Sequence, residues 1–181
     1  MGLNKYDLSG EYGIGWTSNT NKEFYFDLQD YELICKYTWY EHINKSTGYH
    51  SLRTRDKDTR ESISMTSLLD CKSYDHIDRN PLNCRRSNLR IATQRQNTMN
   101  RSKMKNNTSG ITGVVWNKRD EMWIAFINID GKKKILGKFK SKKHAIRVRL
   151  IAEMLYYREF APQQHLYTEY GLNDLLPYTQ Q

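Results

Sequence analysis

The chain has 181 residues, 38% hydrophobic, 27% charged and 12% aromatic, which leaves room for one medium domain or two small ones whose modest cores lean on aromatic side chains. The formal net charge is +9, and the excess is local: residues 101–161 hold 15 Lys and Arg against 5 Asp and Glu, whereas residues 1–100 hold 14 against 13. Cys35, Cys71 and Cys84 form no Cys-x-x-Cys pair, which excludes a four-cysteine zinc site and a disulfide framework; with no leader-like start and no membrane-length apolar run, a soluble cytoplasmic protein is expected.

Residues 12–40 alternate aromatic and polar positions, which predicts short strands at 12–18 and 23–27 and a short helix or turn near 28–36. Strands at 37–43 and 48–54 follow, joined through Lys45-Ser46-Thr47-Gly48, and residues 60–70 extend a strand into a short helix. Leu89–Ile91 is another short β-like run, and Thr93 with Gln96 has the pattern of a capping box opening a helix toward residue 105. The uncharged, turn-prone stretch 106–110 is the natural linker. Beyond it lie three β-like runs, 111–116, 122–129 and 133–139, with Asp130-Gly131 as a two-residue hairpin turn. Ser141 caps a helix running to about residue 160, with Ala145, Val148, Ala152 and Leu155 as its apolar stripe and Lys142, Lys143, Arg147 and Arg149 on other faces. The expected fold class is α+β: a β-rich N-terminal part, then a three-stranded antiparallel sheet packed on one helix. The expected division is 1–105, 106–161 and a tail, 162–181, that either wraps back or is loose.

Chemistry concentrates between residues 74 and 97. A hairpin followed by a helix can bring the Asp75 carboxylate and the Asn97 amide around one hard cation, both offering oxygen and leaving positions for water and phosphate, as Mg²⁺ prefers. His76 can accept a proton from water at neutral pH. Asn88 can pin the turn or orient the imidazole. The basic excess after residue 100 attracts a polyanion, with counterion release driving binding.

The segment Tyr74-Asp75-His76-Ile77-Asp78-Arg79-Asn80, with Asn88-Leu89-Arg90 and Asn97, resembles the HNH, or ββα-metal, nucleases, especially homing-type endonucleases of phages and mobile elements. The resemblance implies a ββα-metal motif at about 74–103, with Asp75 and Asn97 as ligands to one Mg²⁺ or Mn²⁺, His76 as general base and Asn88 as the motif's middle asparagine. Arg79, Arg85, Arg86 and Arg90 are the expected phosphate contacts nearby. Two departures stand out. Met65-Thr66-Ser67-Leu68 lacks the family's His-Arg pair, and Arg79 replaces a turn glycine, which would strain a position of positive φ unless the arginine meets phosphate.

Residues 106–160 resemble the APETALA-type, ethylene-response-factor-like DNA-binding domain, through Gly113-Val114, Trp123 with Ala125, Leu136-Gly137-x-Phe139 and the alanine-bearing helix. By that resemblance Val115, Asn117, Phe126, Asn128 and Lys134 face DNA, with Trp116, Lys118 and Arg119 nearby, and Lys132, Lys133 and Lys134 clamp phosphate. The expected whole is a monomeric, metal-dependent endonuclease that nicks double-stranded DNA in a bacterial host cell. The alternative is a catalytically inactive nuclease fold acting as a DNA-binding or protein-binding regulator.

Overall fold

The structure, a computed structural model, describes residues 4–70, 73–100 and 107–175. Cys71, the expected helix end at 101–105 and the first linker residue lie outside them. The chain divides into two compact units, Met1–Thr93 and Gln94–Gln181, a division that falls ahead of the linker proposed from composition.

The first unit opens with β1 (Tyr6–Asp7), β2 (Gly13–Trp16) and β3 (Glu23–Phe26), an antiparallel sheet in the order β1-β2-β3. Gly13 is paired with Phe26 and Gly15 with Phe24. A Cβ on either glycine would sit 2.3 or 2.2 Å from the facing ring, so the missing side chains are what let two fully buried phenylalanines lie flat on the strand. A 3-10 turn, Leu28–Asp30, leads into α1 (Tyr31–Ile34). Then β4 (Tyr40–Ile43), β5 (His50–Arg55) and β6 (Ser62–Ser64) form a second antiparallel sheet. Ser64 caps α2 (Met65–Leu68), its Oγ accepting the Ser67 N–H at 3.1 Å. β2 through α2 stand where the sequence placed them, and β1 is a strand the sequence reading did not expect.

The core of this unit is Phe24, Phe26, Ile34, Trp39, Leu52, Met65, Leu82, Cys84 and Leu89. Trp39 donates its indole N–H to the Ile34 carbonyl at 2.9 Å, and the buried Asn4 amide donates to both Trp16 O and Trp39 O. The Trp39 indole and the Asn4 amide are thereby satisfied rather than merely enclosed. β7 (Tyr74–His76) and β8 (Leu89–Ile91) complete the unit as an antiparallel hairpin.

The second unit begins with α3 (Gln94–Met99) and continues with β9 (Val114–Asn117), β10 (Met122–Ile129) and β11 (Lys132–Phe139), ordered β11-β10-β9. Asp130 and Gly131 have φ of 54° and 74°, both left-handed, as a two-residue type I′ hairpin requires. α4 (Lys142–Tyr157) packs on one face of the sheet, and Ser141 Oγ caps it by accepting the His144 N–H at 3.3 Å.

The helix stripe differs from the sequence expectation. Leu155 is 56% exposed, and the buried side of α4 carries Ala145, Ile146, Arg149, Leu150, Ala152, Glu153 and Tyr157. Arg149, expected on an outer face, is 2% exposed and ion-pairs with Glu153 at 2.9 Å. A stripe sought among apolar residues alone misses charges that can be buried because they lie one turn apart and neutralise each other. The segment after α4 folds back: the Gln163 amide donates to Glu153 Oε1 at 2.6 Å and its oxygen accepts the Thr112 N–H at 2.8 Å, while Tyr167 and Leu172 join the core.

Candidate active site and nucleic-acid interface

Asp75 and His76 lie on β7, in register with Arg90 and Leu89 of β8. The connection between the strands combines backbone turns, such as Arg79 N–H to His76 O at 2.9 Å, with side-chain bonds. Asn88 donates its amide to Asp78 Oδ1 at 2.9 Å and to the Asn83 carbonyl at 2.8 Å, and its oxygen accepts the Asp78 N–H at 3.0 Å. Of the two roles open to Asn88, these bonds display pinning the turn. Asp78 is the other hub, accepting from the Asn80 N–H at 2.7 Å and from the Asn83 amide at 2.7 Å. No role was assigned to Asp78 from the sequence, although Asp-Arg-Asn is a recognisable Asx-turn signal.

The N-terminal sheet anchors this loop. Tyr25 N–H donates to Leu82 O at 2.9 Å and Cys84 N–H to Tyr25 O at 2.8 Å, so residues 82–84 run along the edge of β3. Arg86 N–H donates to Asp27 Oδ2 at 2.8 Å, and its guanidinium meets Asp30 at 2.8 Å. The aromatic platform thus fixes the hairpin that carries Asp75 and His76.

Arg79 has φ of 63°, so the side chain that replaces the expected glycine does occupy the left-handed region, and it is exposed. The other arginines expected on phosphate have partners inside the protein. Arg85 lies 4.3 Å over the Tyr12 ring and bonds Asn83 at 3.0 Å, and Arg86 holds Asp30. Arg90 places Nε at 2.9 Å and a terminal nitrogen at 2.6 Å from Asp75 Oδ2. Asp75 is 4% exposed. Burial holds the His76 imidazole below its ordinary pKa, against the opposing pull of Asp78 and Asp75, which favours the neutral, proton-accepting form. Asn97 stands exposed on α3, in the second unit.

Where the family has its His-Arg pair, Thr66 and Ser67 bond the cap of α2, their hydroxyls 3.1 and 2.7 Å from Ser64 Oγ. Among the described residues no group of three or more His, Cys, Asp or Glu side chains could cage a metal ion. Asp75 and Asn97 each carry an oxygen donor, the kind a hard cation takes, and neither brings the thiolate or imidazole of a closed zinc cage.

In the second unit the strand register decides which side chains face away from α4. Val115 pairs with Ile124 and Phe126 with Ile135, opposite the face that Val114, Ala125 and Ile127 bury under the helix. A β-bulge between Ala125 and Phe126 sets the alternation of β11, so Lys133 shares the open face and its ammonium lies 3.9 Å over the Phe126 ring. Lys134 faces the other way, 3.3 Å from the Tyr156 hydroxyl on α4, which corrects its placement on the DNA-facing side. Lys132, paired with Ile129, alternates to the same side as Lys134. Asn117 pins its turn, accepting the Arg119 and Asp120 N–H groups, and Trp116 packs on Trp123 with centroids 5.2 Å apart at the helix side. Asn128, Lys118 and Arg119 are exposed. Lys138, which sequence reasoning passed over, sits on the open face in an ion pair with Asp120.

Among the described residues no helix is long and apolar enough to cross a membrane. Residues 74–99 match the HNH endonuclease family. The chain is 47% identical over 58 residues to Protein 3.8 of Escherichia phage T7, covering 32% of this chain and 48% of that protein. It is 34% identical over 87 residues to the "Uncharacterized HNH endonuclease L560" of Acanthamoeba polyphaga mimivirus, covering 45% of each. The matches thus span about half the length of these relatives. No solved structure matches the chain. The family match falls on the hairpin that holds Asp75, His76 and Asn88, and it points to a nuclease of the HNH kind.

Proposed function

We propose that this protein is a metal-dependent DNA endonuclease of the HNH kind, brought to duplex DNA by its basic C-terminal module. The observation that carries the reading is the pinned β7–β8 hairpin, which presents adjacent Asp75 and His76 within the segment that matches the HNH family. Asp75 and Asn97 are the residues that would hold one Mg²⁺ or Mn²⁺ ion. When bound, such an ion polarises the scissile phosphate and stabilises the leaving 3′ oxygen. His76, kept neutral by burial, takes the proton of the attacking water. Asn88 and Asp78 keep the loop from shifting the histidine. The module after the linker acts as an APETALA-type DNA binder, with exposed Lys133 of the sheet's open face contacting phosphate. A monomer with one such site nicks one strand at a time.

The test is incubation of supercoiled plasmid with Mg²⁺, Mn²⁺ or EDTA, alongside a His76→Ala variant. The expected result is metal-dependent nicking that His76→Ala abolishes while retaining DNA binding. Equal cutting by the variant would remove His76 from the chemistry. A second reading, a nuclease fold that binds DNA or protein without cutting, is favoured by Arg90 already neutralising Asp75 and by the hydroxyls at positions 66 and 67. Retardation of plasmid without cutting in any metal would decide for it.

A further inference from the structure

The open face of the β9–β10–β11 sheet has a composition that selects among base pairs. Its centre is apolar: Val115 is 40% and Ile135 60% exposed, with Ile124 and half-buried Phe126 beside them. Next to this patch stands the exposed amide of Asn128, whose side chain has no hydrogen-bond partner among the described residues. Its backbone is fixed from the opposite side, because the Tyr157 hydroxyl donates to Asn128 O at 2.7 Å. The amide is therefore held outward on a rigid strand.

Among the described residues no arginine lies on the strands of this face, and Arg119, in the turn after β9, is paired with Asp120. Its two lysines are both engaged, Lys133 over the Phe126 ring and Lys138 with Asp120. Guanine is read in the major groove by a cationic side chain on O6 and N7, and the groups that would do so are absent or occupied here. Adenine is read by an Asn or Gln amide on N6 and N7, and thymine by apolar contact with its C5-methyl group. The face offers one amide and several apolar side chains. Three strands spaced at 4.7–4.9 Å span about 10 Å, within a major groove about 12 Å wide. The 15 Lys and Arg against 5 Asp and Glu in residues 101–161 favour a polyanion over a protein as occupant.

We propose that this sheet face reads A·T-rich duplex DNA through the major groove, with Val115, Phe126 and Ile135 against thymine methyl groups and the Asn128 amide on adenine. The inference rests on the reading of the C-terminal module as a DNA binder and names its target class. Phosphate contacts from the surrounding Lys and Arg residues supply affinity on any sequence, and the sheet supplies the preference.

The experiment uses the full chain in EDTA, with fluorescence anisotropy on three labelled duplexes of equal length: A·T-rich, G·C-rich, and A·T-rich with deoxyuridine replacing every thymidine. The expected outcome is binding about tenfold tighter to A·T-rich than to G·C-rich DNA, the scale of one good base contact. Removing the thymine methyls should weaken binding about fourfold, the scale of one buried methyl. Asn128→Ala and Ile135→Ala alter exposed side chains, and circular dichroism verifies their folding. Asn128→Ala should become insensitive to 7-deaza-adenine, while Ile135→Ala should become less sensitive to deoxyuridine. Equal affinity for A·T-rich and G·C-rich duplexes overturns the proposal, as does indifference to deoxyuridine, and either leaves a sequence-independent DNA binder. Failure to bind any duplex, with or without capture of a protein through the apolar face, overturns the underlying reading as well.

Discussion

Arg90 lays two N–H groups on a single oxygen of Asp75, Nε at 2.9 Å and a terminal nitrogen at 2.6 Å. The pair joins paired positions of β7 and β8, so the charge that begins the HNH segment is held by its own hairpin. Asp75 is 4% exposed, and a carboxylate so enclosed depends on this partner. Arg90→Ala should destabilise the first unit by about 3 kcal/mol. Arg90→Lys should recover only part of that, because an ammonium cannot fork onto one carboxylate. Urea unfolding of the two variants measures both effects, and an unchanged midpoint for Arg90→Ala would show the pair to be dispensable.

Arg79 occupies φ of 63° at a turn already pinned by Asn88 and Asp78. Glycine adopts that conformation without the Cβ clash, so Arg79→Gly should raise stability by about 0.5–1 kcal/mol. If Arg79 contacts phosphate, the same variant weakens DNA binding while its melting temperature rises. Thermal melts and anisotropy on the same sample separate these effects, and a fall in melting temperature would contradict the strain assignment.

Glu41 contributes to the pH dependence of the first unit. Burial raises its pKa, but bonds from Lys22 at 2.8 Å, His50 at 2.5 Å and Thr20 at 3.0 Å outweigh that and take it from 4.5 down to about 2. A lowered folded-state carboxylate contributes stability that is fully present above about 4.5 and is lost as pH falls toward about 2. The stability gap between wild type and Glu41→Gln should be constant at neutral pH and close across that window. Denaturant titrations from pH 2 to 7 follow it, and a gap independent of pH would refute the assignment.

In the second unit Glu153 is 0% exposed and Arg149 2%, with Gln163 bonding the same carboxylate oxygen. Glu153→Ala leaves a buried guanidinium without its counter-charge and should cost about 3–5 kcal/mol. Replacing both residues, as Arg149→Met with Glu153→Leu, should recover most of that loss. Calorimetry on the single and double variants provides the comparison, and additive losses would mean the two charges do not act as a pair.

Much of this molecule follows from local chemistry and was legible in the order of residues. The alternation around Phe24 and Phe26, the Ser141 cap and the Asp130-Gly131 turn each depend on a few neighbouring residues, and the structure has them where they were expected. The positive φ at Arg79 belongs with them, because the turn imposes it whatever side chain is present. Partners distant in sequence were not legible. Arg85, Arg86 and Arg90 look alike as cationic residues in a segment that matches the HNH family, and only folding brings them to Tyr12, Asp30 and Asp75. Arg149 looked like a surface charge until α4 and the returning Gln163 enclosed it. The bulge beside Phe126 decides which side chains the sheet exposes: one added residue reverses the facing of every side chain before it on β11, sending Lys133 and Ile135 outward and Lys134 back to the helix. Composition determined that this segment is basic, and strand register, which depends on pairing across the sheet, decided which of its side chains can reach a partner.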